Sequence, residues 1–231
     1  AESRPILTGI HMVIANNQLK AVATDSHRLS QRIIPLEMPE TSNALTFEIT
    51  LPGKTLIELS RIIDGLETID FAITENQVLF QTETLSFYSR LLEGRYPDTD
   101  RLINDQFNTA ITVVASDLVA AVDRASLMSH TDKNNIATLS INENRILLTG
   151  NSPEIGKVEE EITVENYEGT SLDVSFNPDY LKDALRLFGS SEATIQFLEA
   201  NRPFTLTLKD NHSDIPYSFI QLVTPVRTFN G

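Results

Sequence analysis

Cysteine is absent from the 231-residue sequence. A thiolate zinc site, a thiol nucleophile and any disulfide are therefore excluded. No apolar run approaches the roughly 20 residues of a membrane span, and no signal peptide opens the chain. A soluble, cytoplasmic protein without membrane contact is expected. A Gly-rich phosphate loop is also lacking. Gly53-Lys54-Thr55 has the look of the end of one, but the upstream glycine is missing and Pro52 replaces the flexible run. No Gly-x-Ser-x-Gly elbow occurs. His11, His27, His130 and His212 are scattered without metal-ligand spacing, and no EF-hand loop is visible. No metal and no other cofactor is expected. Positive charge is scarce: 18 Lys and Arg stand against 32 Asp and Glu, a net charge of −14. That sum argues against nucleic acid, which needs a basic surface. A local basic patch can still coexist with an acidic exterior.

What is present centres on Leu19 to Arg32. Leu19, Ala21 and Ala23 alternate with Lys20, Val22 and Thr24, as in a strand. Thr24, Asp25, Ser26, His27 and Arg28 then form a polar corner, and a second strand leaves through Leu29. Turns of this kind normally carry Gly, Asn or Pro. The structural reading is an Asx turn, with Asp25 accepting backbone N–H bonds.

The main architectural signal is an internal repeat. Residues 47–63, 111–128 and 172–188 each read as a strand, a polar or Pro break, and a helix of about three turns. The helices are expected over Lys54 to Leu66, Asp117 to Met128 with Ser116 as N-cap, and Tyr180 to Phe188 behind Asn177-Pro178. Each is followed by a hairpin turning at Glu75-Asn76, Glu143-Asn144 or Ala200-Asn201. Asn16-Asn17 marks a further hairpin between Arg4 to Ile14 and Leu19 to Ala23. The stretches 156–164, 171–176, 193–198, 204–208 and 217–223 complete the strand set. The polar segment 98–108 separates two domains, placed at 1–100 and 101–231. The fold class is α+β, two β-rich domains each wrapped on a few helices.

Three chemistries compete. Asp25, Ser26 and His27 hold the residue types of a hydrolase triad, but neighbours in extended backbone point to opposite faces, and a triad must converge in space. Lys54 and Arg61 share a helix face, as do Lys182 and Arg186. These could line a surface for a polyanion, although Glu58, Asp64, Asp179 and Asp183 sit on the same helices. Finally, the chain ends on LVTPVRTF, an apolar segment that must pack on its own domain or on a partner peptide.

TDSHRL (24–29), RPILTG (4–9), GRYPD (94–98), SFNPDYL (175–181) and QLVTPVR (221–227) together resemble the bacterial replicative sliding clamp, the beta subunit of DNA polymerase III. The likeness runs in order through the whole chain and covers the second and third of that family's three domains. It implies two tandem clamp domains, with antiparallel sheets outside and helices lining the inner face of a ring around double-stranded DNA. It implies no catalysis, only tethering of the polymerase at high effective concentration. It implies a hydrophobic pocket between the two domains that captures short linear peptides of polymerase, clamp loader and repair proteins. Matching by motif assigns the pocket to Leu7, Thr24, Ser26, His27, Arg28, Leu29, Pro97, Arg101 and Leu102. From the second half it adds Asn177, Tyr180, Pro203, Thr205, Leu222, Thr224, Pro225, Val226 and Arg227. The DNA-facing side chains would be Arg4, Lys54, Arg61, Arg124, Lys182 and Arg186.

Three departures accompany the likeness. Ser26 stands where the family often has Gly. Asn134 and Asn135 replace an aromatic or basic side chain at one pocket edge. The family's first domain, and the first helix of its second, have no counterpart in these residues. Leu127 and Met128 match one side of a head-to-tail dimer interface whose other side is missing. A monomer that cannot close a ring is expected of this chain, against a head-to-tail homodimer for the full-length form. The alternative reading is a peptide-binding interaction module that makes no DNA contact.

Overall fold

The structure is a computed structural model, and it describes residues 4–36, 46–129, 135–143, 145–152, 156–209 and 218–227. Residues 38–43, Asn134, Asn144, Tyr217, His130 and His212 fall outside them, as does the side chain of Met128. Contacts group the described residues into two units. One holds residues 4–26, 31–99 and Ser218; the other holds 27–30, 100–209 and 219–227.

The first unit opens with a 3₁₀ turn, Pro5–Thr8, not with the strand expected from Arg4. Pro5 supplies the fixed φ that starts the turn, and Leu7 is its buried residue. Strands β1 (Gly9–Ala15), β2 (Gln18–Thr24), β3 (Arg28–Pro35) and β4 (Phe47–Pro52) follow. They form a sheet in the order β3-β2-β1-β4, and residues 31–35 are the part of β3 that belongs to this unit. Asn16 and Asn17 both take positive φ, 51° and 56°, which closes β1 on β2 with Ala15 opposite Gln18. Asn tolerates this conformation, so the hairpin is written into the sequence.

Helix α1 (Gly53–Ile62) comes next. It stops four residues earlier than its spacing suggests. Leu66 lies beyond the end, half exposed, and Gly65 carries a φ of 81° in the turn. Strands β5 (Asp70–Ile73), β6 (Gln77–Gln81) and β7 (Ser86–Arg90) form a separate antiparallel sheet. The core of this unit gathers on Ile49, Leu51 and Val78, with Met12, Phe47, Leu56 and Phe80 against them.

The second unit contains the repeat twice. Strand β8 (Thr109–Val114), helix α2 (Ala115–Ser129) and strands β9 (Ala137–Ile141), β10 (Ile146–Ser152) and β11 (Gly156–Glu161) make the first copy. After the short β12 (Asn166–Gly169), the second copy is β13 (Leu172–Phe176), α3 (Pro178–Arg186), β14 (Glu192–Phe197), β15 (Phe204–Leu208) and β16 (Ser218–Val223). The strand that leads into each helix joins the other copy's sheet. One sheet runs β11-β10-β9-β13, the other β12-β8-β14-β15-β16. This exchange ties the two copies through backbone ladders of high sequence separation.

The strand expected over 156–164 ends early, as β11 at Glu161, and β12 starts only at Asn166, in the other sheet. β11 pairs with β10 and β12 with β8. Ser116 is likewise inside α2 and not its cap; its hydroxyl donates to the Asp117 carboxylate instead. Helix α2 buries Leu118, Ala121, Val122 and Ala125, and α3 buries Leu181, Ala184 and Leu185. Both sets follow the 3.6-residue period. Each fully buried leucine contributes about 1.5–3 kcal/mol.

Candidate functional site

Residues 27–30 lie early in the chain yet belong to the second unit. They bring His27 and Arg28 onto helix α3. That helix is well started: Asn177 accepts the Asp179 backbone N–H at 2.9 Å, and Pro178 occupies the first turn. Such a cap stabilises by about 1 kcal/mol, and Pro at this position costs no donor. The start is what aims Tyr180. Its ring stacks on His27, with centroids 5.9 Å apart and planes at 18°. The Arg28 guanidinium lies 4.7 Å from the same ring's centroid. Arg28 is in turn held by Asp183, one turn further along α3, at 2.6 Å. Asp183 also accepts from Arg186 at 3.4 Å.

The result is an aromatic surface with a cationic edge that is already oriented. Arg28 is paired and in cation–π contact, so its rotamer need not be fixed when something binds. His27 is exposed and Tyr180 half-buried, so both present atoms outward. Asp183, read in the sequence only as part of a mixed-charge face, is the residue that locks Arg28. A pairing across 155 positions leaves no trace in spacing.

The C-terminal segment completes this unit's cluster. The Thr224 N–H donates to the His27 carbonyl at 2.9 Å, and the Val226 N–H donates to the Ser175 carbonyl at 2.7 Å. The apolar tail therefore packs on its own unit. Leu29, Thr205 and Leu222 are buried, with Thr205 opposite Leu222 across β15 and β16. Pro203, Pro225 and Val226 are half-buried and Arg227 is exposed. Arg101 and Leu102 sit on a separate 3₁₀ turn, Asp100–Leu102, both exposed.

In the first unit, Thr24 takes part in the corner: its hydroxyl accepts the Ser26 N–H at 3.2 Å. Ser26 has a φ of 79°. This is the left-handed region that glycine occupies freely. Arg4 holds the Ser26 hydroxyl at 2.8 Å. The Thr24 N–H donates to the Tyr96 hydroxyl at 3.1 Å. Tyr96 is buried and lies flat on His11, with centroids 4.6 Å apart and planes at 4°. Burial pushes the Tyr96 phenol up, partly offset by the Thr24 bond. Burial also pushes His11 below its ordinary value, against the pull of Glu48. Tyr96 was visible in the GRYP motif but its role in holding the corner was not. Leu7 is buried in its 3₁₀ turn, and Pro97 is exposed beside Tyr96.

Of the six cations expected to face DNA, three in the second unit, Arg124, Lys182 and Arg186, are paired with carboxylates. Lys182 requires a correction. It is buried, and its ammonium lies 3.0 Å from Asp123 of α2 and 3.1 Å from Asp179 of α3. Burial alone would lower its pKa, but hydrogen bonds to the two carboxylates prevail and raise it. The sequence placed it on a solvent stripe with Arg186; the packing of α2 against α3 places it inside. Arg124 is exposed but bonded to Glu160 through two nitrogens. Arg186 is exposed and paired with Asp183. Lys54 and Arg61 are exposed on α1. Leu127 on α2 is 71% exposed.

Among the described residues, no three His, Asp or Glu side chains converge as metal ligands would. Among them too, no helix is long and apolar enough to cross a membrane.

Comparison with known proteins gives a consistent answer. Residues 1–98 match the family described as DNA polymerase III beta subunit, central domain. Residues 100–221 match the DNA polymerase III beta subunit, C-terminal domain. The chain is 46% identical over 229 residues to the beta sliding clamp of Streptococcus pneumoniae, covering 98% of this chain and 58% of that protein. It is 41% identical over 231 residues to the beta sliding clamp of Bacillus subtilis, covering 99% of this chain and 59% of that one. The crystal structure of the Streptococcus pneumoniae DNA polymerase III beta chain superposes with a TM-score of 0.91 at 46% identity, over 99% of this chain and 59% of that one. The Bacillus subtilis sliding clamp gives 0.90 at 41% identity, over 99% and 59%. The chain thus spans a little under 60% of the length of these relatives.

Proposed function

Since this chain belongs to the DNA polymerase III beta subunit family, we propose that it serves as part of a DNA sliding clamp, a processivity factor without catalysis of its own. The two clamp domains are read as 1–100 and 101–231. Its partners are double-stranded DNA, held through the backbone and without regard to sequence, and short linear peptides of polymerase, clamp loader and repair proteins. In full length it is a head-to-tail homodimer using Leu127 and Met128; these residues alone are expected to be monomeric. The cytoplasm is its expected location.

One observation carries the peptide-binding part: the oriented His27–Tyr180–Arg28 cluster beside the anchored tail at Thr224. Apolar surface with few fixed polar groups is the usual form of a peptide groove. The test is titration of the protein with a short peptide ending in Leu-Phe. Micromolar binding is expected, with loss of at least tenfold in an Arg101→Ala, Tyr180→Ala variant. No binding by the folded wild-type protein would remove the residue assignment.

A second reading is favoured by the paired state of Arg124, Lys182 and Arg186. It is a peptide-binding module that makes no DNA contact. Salt separates the two. A phosphate-tracking surface loses DNA retention steeply as salt rises; the full-length protein is expected to do so. Salt-independent behaviour, or no retention at low salt, would favour the module.

A further inference from the structure

Lys182 is a buried cation that the proposed function does not use. Its surroundings describe a joint. The ammonium bridges Asp123 on α2 and Asp179 on α3, at 3.0 and 3.1 Å. The other Asp179 oxygen accepts from Asn135 Nδ2 at 2.7 Å. The Asp179 backbone N–H is bound to the Asn177 side chain at 2.9 Å. Asp179 thus connects the Asn135 segment, helix α2 and the first turn of α3. The next residue is Tyr180, whose ring meets His27 and Arg28.

The charges make the joint conditional. Two carboxylates lie within about 3 Å of one ammonium. Without that cation they face each other, and like charges in a partly desolvated site repel. That repulsion would act on the first turn of α3, which carries Asp179. Its displacement would turn the Tyr180 ring away from His27 and release Arg28 from its stacked position. Replacement of the cation would therefore act on the aromatic surface without touching it.

We propose that Lys182 is a positioning residue for peptide capture, acting through Asp179 to hold Tyr180 in its stacked orientation. The inference rests on the peptide-binding reading above. It assigns to Lys182 a role in recognition in place of the DNA contact suggested by its spacing.

The test compares Lys182→Met with Asp123→Asn, in peptide titration and in the proton NMR shifts of the His27 ring. Those shifts report the stacked Tyr180 ring with or without peptide. Lys182→Met is expected to weaken the Leu-Phe peptide about tenfold and to move the His27 signals toward unstacked positions. Asp123→Asn leaves Lys182 on Asp179 and is expected to change affinity less than twofold, with His27 unmoved. A Lys182→Met protein with wild-type His27 shifts would overturn the proposal, whatever its melting temperature. Equal loss in both variants would also overturn it, because the role of Asp179 would then be no greater than that of general stability. If the wild-type protein binds no peptide, the pocket reading fails by itself, and the His27 shifts still decide whether Lys182 orients Tyr180.

Discussion

Replacing Phe204 with Ala is expected to destabilise the second unit by about 3–5 kcal/mol. Phe204 is fully enclosed, at 1% exposure. Its ring meets Phe176 edge-on at 6.3 Å and Phe197 at 5.1 Å. Those three rings come from β13, β14 and β15, so they join the two sheets of this unit at one point. Truncation would remove the transfer energy of the ring and leave a cavity whose walls are held by ladders on each side. It would also cancel two aromatic contacts, each worth about 0.5–1.5 kcal/mol beyond area. Phe204→Leu retains most of the volume and is expected to cost less. Chemical denaturation followed by circular dichroism measures both. A Phe204→Ala loss under about 1 kcal/mol would mean that the aromatic trio is not a central packing element.

A second large effect is expected at Gly150, from addition and not removal. Gly150 is in β10, opposite Val158 of β11 and Ala137 of β9. A Cβ built there would lie 2.4 Å from the carbonyl oxygen of Ala125. That atom is helix backbone, so no side-chain rotation relieves the clash. Ala125 is itself fully buried. Helix α2 can pack on the sheet at this distance only because both partners are nearly bare. Gly150→Val should force the layers apart, at or above the upper end of the roughly 1–3 kcal/mol typical of overpacking. The denaturation midpoint is the measurement, and an unchanged midpoint would show that α2 does not sit this close to β10.

Much of this protein could be read before its structure was known, for local reasons. The Asn16-Asn17 hairpin follows from the backbone freedom of Asn at positive φ. The start of α3 follows from an Asn cap and a Pro in the first turn, both short-range features. The three strand–helix units repeat a pattern of apolar spacing that needs no tertiary knowledge. The motifs around the corner, the GRYP turn and the tail also carried the family resemblance.

Other features depend on distant residues meeting. The early end of the strand expected over 156–164 is one, since β11 stops at Glu161 and the chain passes to β12 in another sheet, each strand paired with a partner, β10 or β8, that lies elsewhere in sequence. Tyr96 reaches Thr24 across 72 positions, and Arg28 reaches Asp183 across 155. Lys182 shows the difference most plainly. Its four-residue spacing from Arg186 places both on one helical face, and that much the sequence determined. Whether the face met water or a neighbour was decided by α2, which brings Asp123 to 3.0 Å and turns an apparent surface charge into a buried joint. Periodicity reports which residues share a side; only packing assigns that side its surroundings.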